Sequence, residues 1–318
     1  MKGLYVRNRT LRFRDDLALE ERPGEVLLEP VLSGICRTDI ELVHGYMDFT
    51  GVPGHEFVAR VVEGSDSFRA GELVVGEINC GCGSCDDCRT NRSRHCATRT
   101  VLGILNRPGC MAERFHLPER NLWRVPAGVA PEEAVFAEPL AAACRIIEQD
   151  IIPGGSDVAV LGDGKLGVLC AFVLARHGHR VSLFGHHAGK RRALFAGTGV
   201  AVRDAEDWKD KFAFIVESTG RAEGMAQAIE HLEPRGTLIL KTTTFLPPQF
   251  HLARIVIDEF RVVGSRCGPF DMALRLIAEK AIPVAGMIEA EYPLEDGLAA
   301  FQRAAERGAL KVLLRAGV

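Results

Sequence analysis

The sequence predicts an α/β protein in which a β-rich domain is followed by a doubly wound parallel sheet. Three observations carry this. Short apolar runs broken by turn residues fill the first 125 positions, strand-like and helical stretches alternate from Asp157 onward, and Gly162-Asp163-Gly164-Lys165-Leu166-Gly167 stands at the first strand-to-helix junction of that second part. A chain of 318 residues suits two domains, with a core in each.

In the first part, Leu4–Val6, Glu25–Glu29, Val58–Val62 and Leu73–Val75 read as strands separated by Gly, Pro and Asp turns. The texture changes after Val125-Pro126-Ala127-Gly128. Strands are then expected at Val158–Leu161, Val181–Phe184, Phe212–Val216 and Thr237–Leu240, with helices over about Leu166–His177, Gly189–Ala196 and Ala222–Leu232. That alternation describes a parallel sheet covered on both faces. A strand at Phe260–Gly264, helices near Met272–Glu279 and Leu294–Glu306, and a strand over Ala309–Leu314 complete the chain.

Composition narrows the function. With 42 acidic against 39 basic residues and a net charge of -3, a nucleic-acid surface is not expected. No apolar run approaches the roughly 20 residues of a membrane helix. Met1–Leu19 is rich in Arg and Asp and has no signal-peptide core, so a cytoplasmic protein without a membrane partner is expected. In that compartment cysteines serve metals or catalysis more often than disulfides. Of the 10 cysteines, Cys80, Cys82, Cys85, Cys88 and Cys96 crowd into one short segment.

The glycine run has the context that dinucleotide binding requires, an apolar strand before it and an apolar helix after it. Gly162 permits the tight turn, Gly164 lets a pyrophosphate approach the backbone, and Gly167 allows close helix–strand packing. Lys165 and Leu166 open the helix, whose N-terminal N–H groups and dipole favour phosphate. NAD enzymes place an acid on the ribose at the end of the next strand. Here that stretch reads Phe184-Gly185-His186-His187-Ala188-Gly189-Lys190-Arg191-Arg192 and holds no carboxylate. Gly185 would leave room for a 2′-phosphate, and His186, His187, Lys190 and Arg191 would supply donors and charge. This favours NADP(H) over NAD(H), against the plainer reading of a solvated helix start.

Cys82, Cys85, Cys88 and Cys96 lie in a polar, glycine-bearing loop with little core of its own. Thiolates so spaced wrap a tetrahedral zinc that supplies the missing stabilisation, and a site closed by thiolates has no position for substrate. Cys80 competes for a place, but the regular spacing favours Cys82. Ligand-type residues also occur in Gly34-Ile35-Cys36-Arg37-Thr38-Asp39, Gly54-His55-Glu56 and Ala137-Glu138-Pro139-Leu140. A thiolate, an imidazole and one or two carboxylates suit a zinc site with an open position, although spacing alone does not bring them together.

Taken in order, these motifs resemble the zinc-dependent medium-chain dehydrogenase/reductase superfamily, which includes alcohol, sorbitol, glucose and threonine dehydrogenases. The resemblance implies a GroES-like catalytic domain over residues 1–125 with a zinc lobe at about 80–96, a Rossmann domain over 126–267, and a segment, 268–318, returning to the first domain. It further implies two Zn2+ per chain. Cys36 and His55 match the catalytic ligands, with Glu56 and Glu138 sharing the carboxylate role in a division left open. Thr38 matches the hydroxyl that starts proton relay. Glu41 stands where many relatives have a relay histidine, and His44 is the substitute, unless the proton leaves by another route.

The implied reaction moves a hydride between a small secondary alcohol or polyol, or the matching carbonyl compound, and a nicotinamide cofactor. Leu42, His44, Tyr46, Met47 and Phe49 are pocket candidates or ordinary loop packing. A quinone or enoyl reductase and a catalytically silent NADP(H)-sensing or partner-binding protein are the competing readings; the metal-ligand set argues against both. The family also implies a homodimer or homotetramer, with Thr237–Leu240 or Phe260–Val263 as the joining edge.

Overall fold

A computed structural model describes residues 1–243 and 252–316. The chain divides into two units, one comprising Met1–Glu138, Ala273–Lys280 and Val284–Val318, the other Pro139–Met272 and Ala281–Pro283. The first unit thus continues past the expected boundary at residue 125, because the short Pro131–Ala134 helix packs on the strands Val26–Gly34 and Glu56–Val61.

The first unit is organised by a seven-stranded sheet in the order Ile288–Pro293, Lys311–Arg315, Val26–Gly34, Glu56–Val61, Leu73–Gly76, Leu122–Arg124, with Phe115–Leu117 also paired to Val26–Gly34. Its core joins distant segments: Leu4, Ile35, Ile40, Met111, Phe301 and Leu314 are buried together. The Arg37–Val43 helix puts Ile40 into that core and so fixes the backbone just after Cys36.

The second unit holds a six-stranded parallel sheet in the order Ala201–Asp204, Arg180–Gly185, Asp157–Leu161, Phe212–Glu217, Leu232–Leu240, Arg261–Gly264. Its central strands are apolar at successive positions because helices cover both faces, and Val158, Ala159 and Val160 have no exposed surface. The Lys165–Arg176 helix buries Gly167 through Leu174 as a continuous run. An aromatic stack, Phe184 on Trp208 at 4.2 Å between ring centroids, closes one end of this core.

Several expectations change. The helix expected over Gly189–Ala196 forms only from Ala188 to Arg191, where Gly189 and the like charges of Lys190, Arg191 and Arg192 in succession limit propagation. The stretch from Leu294 begins as a 3-10 turn, Leu294–Asp296, before the helix Gly297–Ala305. Thr237–Leu240 is not an edge, since Arg261–Gly264 pairs outside it.

Phe184 is 1% exposed and touches both Trp208 and Phe212. Phe184→Ala is expected to destabilise the second unit by roughly 3–5 kcal/mol. Urea unfolding followed by Trp208 emission in a Trp123→Phe background measures this, and a loss below about 1 kcal/mol would contradict the packing.

Candidate active site and metal centres

In the first unit, Cys36, His55 and Glu56 bring one ligand atom each to within 4.8 Å of one another. Bonds of about 2.0–2.3 Å to a shared zinc span nearly that distance, so this donor set fits the metal with small side-chain adjustment. Cys36 and His55 come from two loops and Glu56 opens the strand Glu56–Val61, and Asp39 holds the two loops together. Its Oδ2 accepts the Cys36 backbone N–H at 2.8 Å, and its Oδ1 accepts that of Gly54 at 3.1 Å. His55 Nδ1 lies 3.2 Å from the same Oδ1, and Asp39 is completely buried. Burial alone would depress the His55 pKa, but Asp39 and the Cys36 sulfur outweigh it and hold the imidazole well above its ordinary value. The sequence reading gave Asp39 no role; its signal was an acid at the third position of a helix whose first residue follows a ligand.

Glycine is required beside these ligands. Gly54 has φ +101°, and a Cβ there would stand 2.5 Å from Met111 Cγ. At Gly34 a Cβ would stand 2.4 Å from Glu56 Oε2, so this glycine makes the space that the carboxylate fills. Glu56 accepts from Lys311 Nζ, and both side chains are 1% exposed. Lys311, whose ammonium also lies 5.4 Å from the Phe136 ring centroid, was read from the sequence only as part of a strand. A lysine inside an otherwise apolar strand was the available signal.

Glu138 opens the Ala137–Glu148 helix and does not join the close ligand group. Burial, with Glu56 and Glu77 nearby, raises its pKa to about 7 against the opposing effect of His55 and Lys311. Thr38 Oγ1 lies 3.9 Å from Cys36 Sγ. Glu41 pairs with Arg37 at 2.6 Å, while His44 caps the end of the helix and is exposed. Leu42 is completely buried, so it belongs to the core and not to a pocket wall; Met47 is exposed.

Cys82, Cys85, Cys88 and Cys96 form a second close group. Cys82 Sγ lies 3.9 Å from Cys88 Sγ, and the backbone N–H groups of Cys85 and Cys82 point at Cys82 and Cys96 sulfurs, each at 3.4 Å. Hydrogen bonds from Ser84 and Cys85 lower the Cys82 pKa to about 5, while the neighbouring sulfurs and burial raise that of Cys85 to about 11, so the thiolate is favoured at Cys82 and not at Cys85. A Cβ at Gly81 would meet Cys88 Sγ at 2.7 Å, so the loop closes tightly round the sulfurs. Cys80 lies outside the group; burial raises its thiol to about 11.

In the second unit, the glycine run forms a nucleotide cradle. Gly162 has φ +109°, and a Cβ there would stand 2.8 Å from the Ser218 carbonyl. A Cβ at Gly167 would stand 1.8 Å from Gly162 O, whereas nothing lies within 4 Å of one at Gly164. The Lys165–Arg176 helix therefore starts beneath open space and without a side-chain cap, with its first N–H groups directed there. This arrangement fits a pyrophosphate.

The surroundings of Gly185 correct one expectation. A Cβ at Gly185 would stand 2.1 Å from Asp163 Cγ, so the space assigned to a 2′-phosphate is filled by a carboxyl group from the glycine loop. His187 donates its backbone N–H to Asp163 Oδ2 at 2.6 Å, and Arg191 donates from Nε to the Asp163 carbonyl at 2.9 Å. Arg191 is buried, whereas His186 and Lys190 are exposed.

A β-rich unit that gathers metal-ligand residues and a parallel-sheet unit that carries a nucleotide cradle are the features of a nucleotide-dependent oxidoreductase. Residues 22–127 match the alcohol dehydrogenase GroES-like domain. The chain is 29% identical to 2-dehydro-3-deoxy-L-galactonate 5-dehydrogenase of Pseudoalteromonas atlantica, over 93% of each protein. It is 28% identical to sorbitol dehydrogenase of Halalkalibacterium halodurans, again over 93% of each. A crystal structure from Sinorhizobium meliloti 1021, described as a zinc-binding dehydrogenase bound to NADP, superposes with a TM-score of 0.87 and 27% identity over 99% of this chain and 98% of that one. These likenesses support the zinc-dependent medium-chain dehydrogenase/reductase superfamily, and the chain is an oxidoreductase.

Asp39→Asn keeps the shape but removes the charge that faces His55 and the two loop N–H groups. It is expected to weaken metal binding at Cys36/His55 by about 10–100-fold. Zinc retained per chain after graded chelator treatment measures this; retention equal to wild type would contradict the role of Asp39.

Proposed function

We propose that this protein oxidises a small secondary alcohol or polyol, or reduces the matching carbonyl compound, with a nicotinamide dinucleotide. The observation that carries the reading is the convergence of Cys36, His55 and Glu56 next to Thr38, in a chain that also builds a pyrophosphate cradle at Gly162–Gly167. The named relatives act on polyhydroxylated substrates, which supports a polyol or sugar-derived alcohol as the class.

Zinc at Cys36 and His55, with a carboxylate from Glu56 or Glu138, would supply Lewis acidity toward the substrate oxygen, and the nicotinamide would supply hydride exchange. The chain's own groups do the rest. Asp39 fixes the loops that present the ligands, and Lys311 balances Glu56 so that its buried carboxylate is not left unpaired. Thr38 Oγ1 accepts the alcohol proton during oxidation as its own hydroxyl proton passes on toward solvent, and the reverse exchange serves reduction. Glu41 is engaged by Arg37, which leaves the exposed His44 as the outlet to solvent. A second zinc at Cys82, Cys85, Cys88 and Cys96 would tie down a polar lobe and take no part in the chemistry.

Thr38→Val is expected to lower kcat by about 100-fold or more while leaving nicotinamide affinity unchanged. Stopped-flow absorbance at the reduced-nicotinamide band across a panel of secondary alcohols and polyols, beside a binding titration, checks both halves. Turnover equal to wild type removes Thr38 from the reaction. No turnover from the zinc-replete wild type on any member, with nucleotide binding intact, favours a sensor.

The homo-oligomer implied by the family would use the Arg261–Gly264 edge. Val262 on that strand is exposed, as are Leu252, Val256 and Ile257 on the preceding helix, Leu252–Ile257. Such apolar exposure beside a strand whose outer edge has no partner among the described residues suits a second copy of the chain. Val256→Glu with Ile257→Glu is expected to shift the protein to monomer in light scattering after size exclusion; an unchanged mass would place the interface elsewhere.

A further inference from the structure

Asp163 stands in the one place where the sequence suggests that no acid exists. In dinucleotide-binding units, the side chain at the end of the second strand selects between a ribose hydroxyl and a 2′-phosphate. Here that strand ends at Gly185, and the Asp163 carboxyl begins where a side chain on residue 185 would begin, with Cγ 2.1 Å and Oδ1 2.5 Å from the Cβ position. The carboxylate is anchored there. Oδ2 accepts the His187 backbone N–H at 2.6 Å, Oδ1 lies 3.3 Å from His187 Nδ1, and the Asp163 carbonyl accepts from Arg191 Nε.

We infer that Asp163 is the specificity-determining acid of the nucleotide site and that the enzyme prefers NAD(H) to NADP(H), resting on the nicotinamide reading above. A carboxylate keeps acceptor capacity for a ribose hydroxyl beyond the His187 contacts, whereas a phosphate dianion meets a fixed like charge in a poorly solvated position. The basic stretch does not reverse this balance. His187 and Arg191 hold the Asp163 segment, and the side chains of His186, Lys190 and Arg192 are exposed. The expectation of NADP(H) rested on a space at Gly185 that the acid occupies.

The test is titration of the zinc-replete full chain with NADH and with NADPH, read by energy transfer from tryptophan to the nicotinamide. Wild type is expected to bind NADH at least about tenfold more tightly, and Asp163→Asn to move the NADH-to-NADPH affinity ratio by about tenfold toward NADPH. Gly185→Ala, whose methyl group cannot coexist with the carboxyl in its present position, is expected to move the ratio the same way. Tighter binding of NADPH by wild type overturns the inference, and so does a ratio that neither substitution moves. Where Asp163→Asn does not fold, the wild-type ratio and Gly185→Ala decide. Failure of wild type to bind either nucleotide overturns the cofactor reading itself, a result distinct from an unmoved ratio.

Discussion

The buried carboxylate of Asp39 is the constraint on which the candidate metal centre depends. One oxygen accepts from the residue that carries the thiol, and the other accepts from the glycine that precedes the imidazole. A buried, charged acceptor gains more from such bonds than a neutral one, and leaving its donors unpaired would cost on the order of 1–3 kcal/mol each. The same group faces His55, so loop closure and imidazole orientation are one event. Ile40, the next residue in the helix, sits in a core shared with Leu4, Met111 and Leu314. The metal loops thus inherit their rigidity from the β unit.

Charge balance explains why the rest of the site has its composition. Cys36, Asp39, Glu56 and Glu138 gather around a small volume, and the protein supplies His55 and Lys311 against them. Glu138 registers the excess: its pKa rises to about 7 because it is buried beside other carboxylates. A divalent cation is the natural completion of such a set. Lys311 sets its ammonium on Glu56 and over the Phe136 ring.

Much of this was legible in the sequence because the relevant spacing is local. Thiolates within one loop, a glycine run between a strand and a helix, and alternating βα units all encode contacts between near neighbours. The long apolar strands Asp157–Leu161 and Phe212–Glu217 were readable for the same reason, since both faces are buried. Ile288–Pro293 was not, because its alternation of exposed and half-buried residues includes Glu289 and Glu291, and its pairing with Lys311–Arg315 involves a later segment. The partnership of Lys311 with Glu56 spans most of the chain, and no window of sequence contains both.

Asp163 shows the same limit within a short span. A motif assigns a role to a position, here the end of the second strand, and Gly185 leaves that position without a side chain. The fold assigns the role to a place in space. Parallel pairing sets Leu161 beside Phe184, so the residues just beyond each strand are neighbours although more than a helix separates them in sequence. Gly162, turning at positive φ, then directs Asp163 across to Gly185, whose missing Cβ is the condition for the carboxyl to lie there. Glycine at 185 and aspartate at 163 are therefore one feature written at two positions, and the glycine read alone hides the carboxyl that lies beside it.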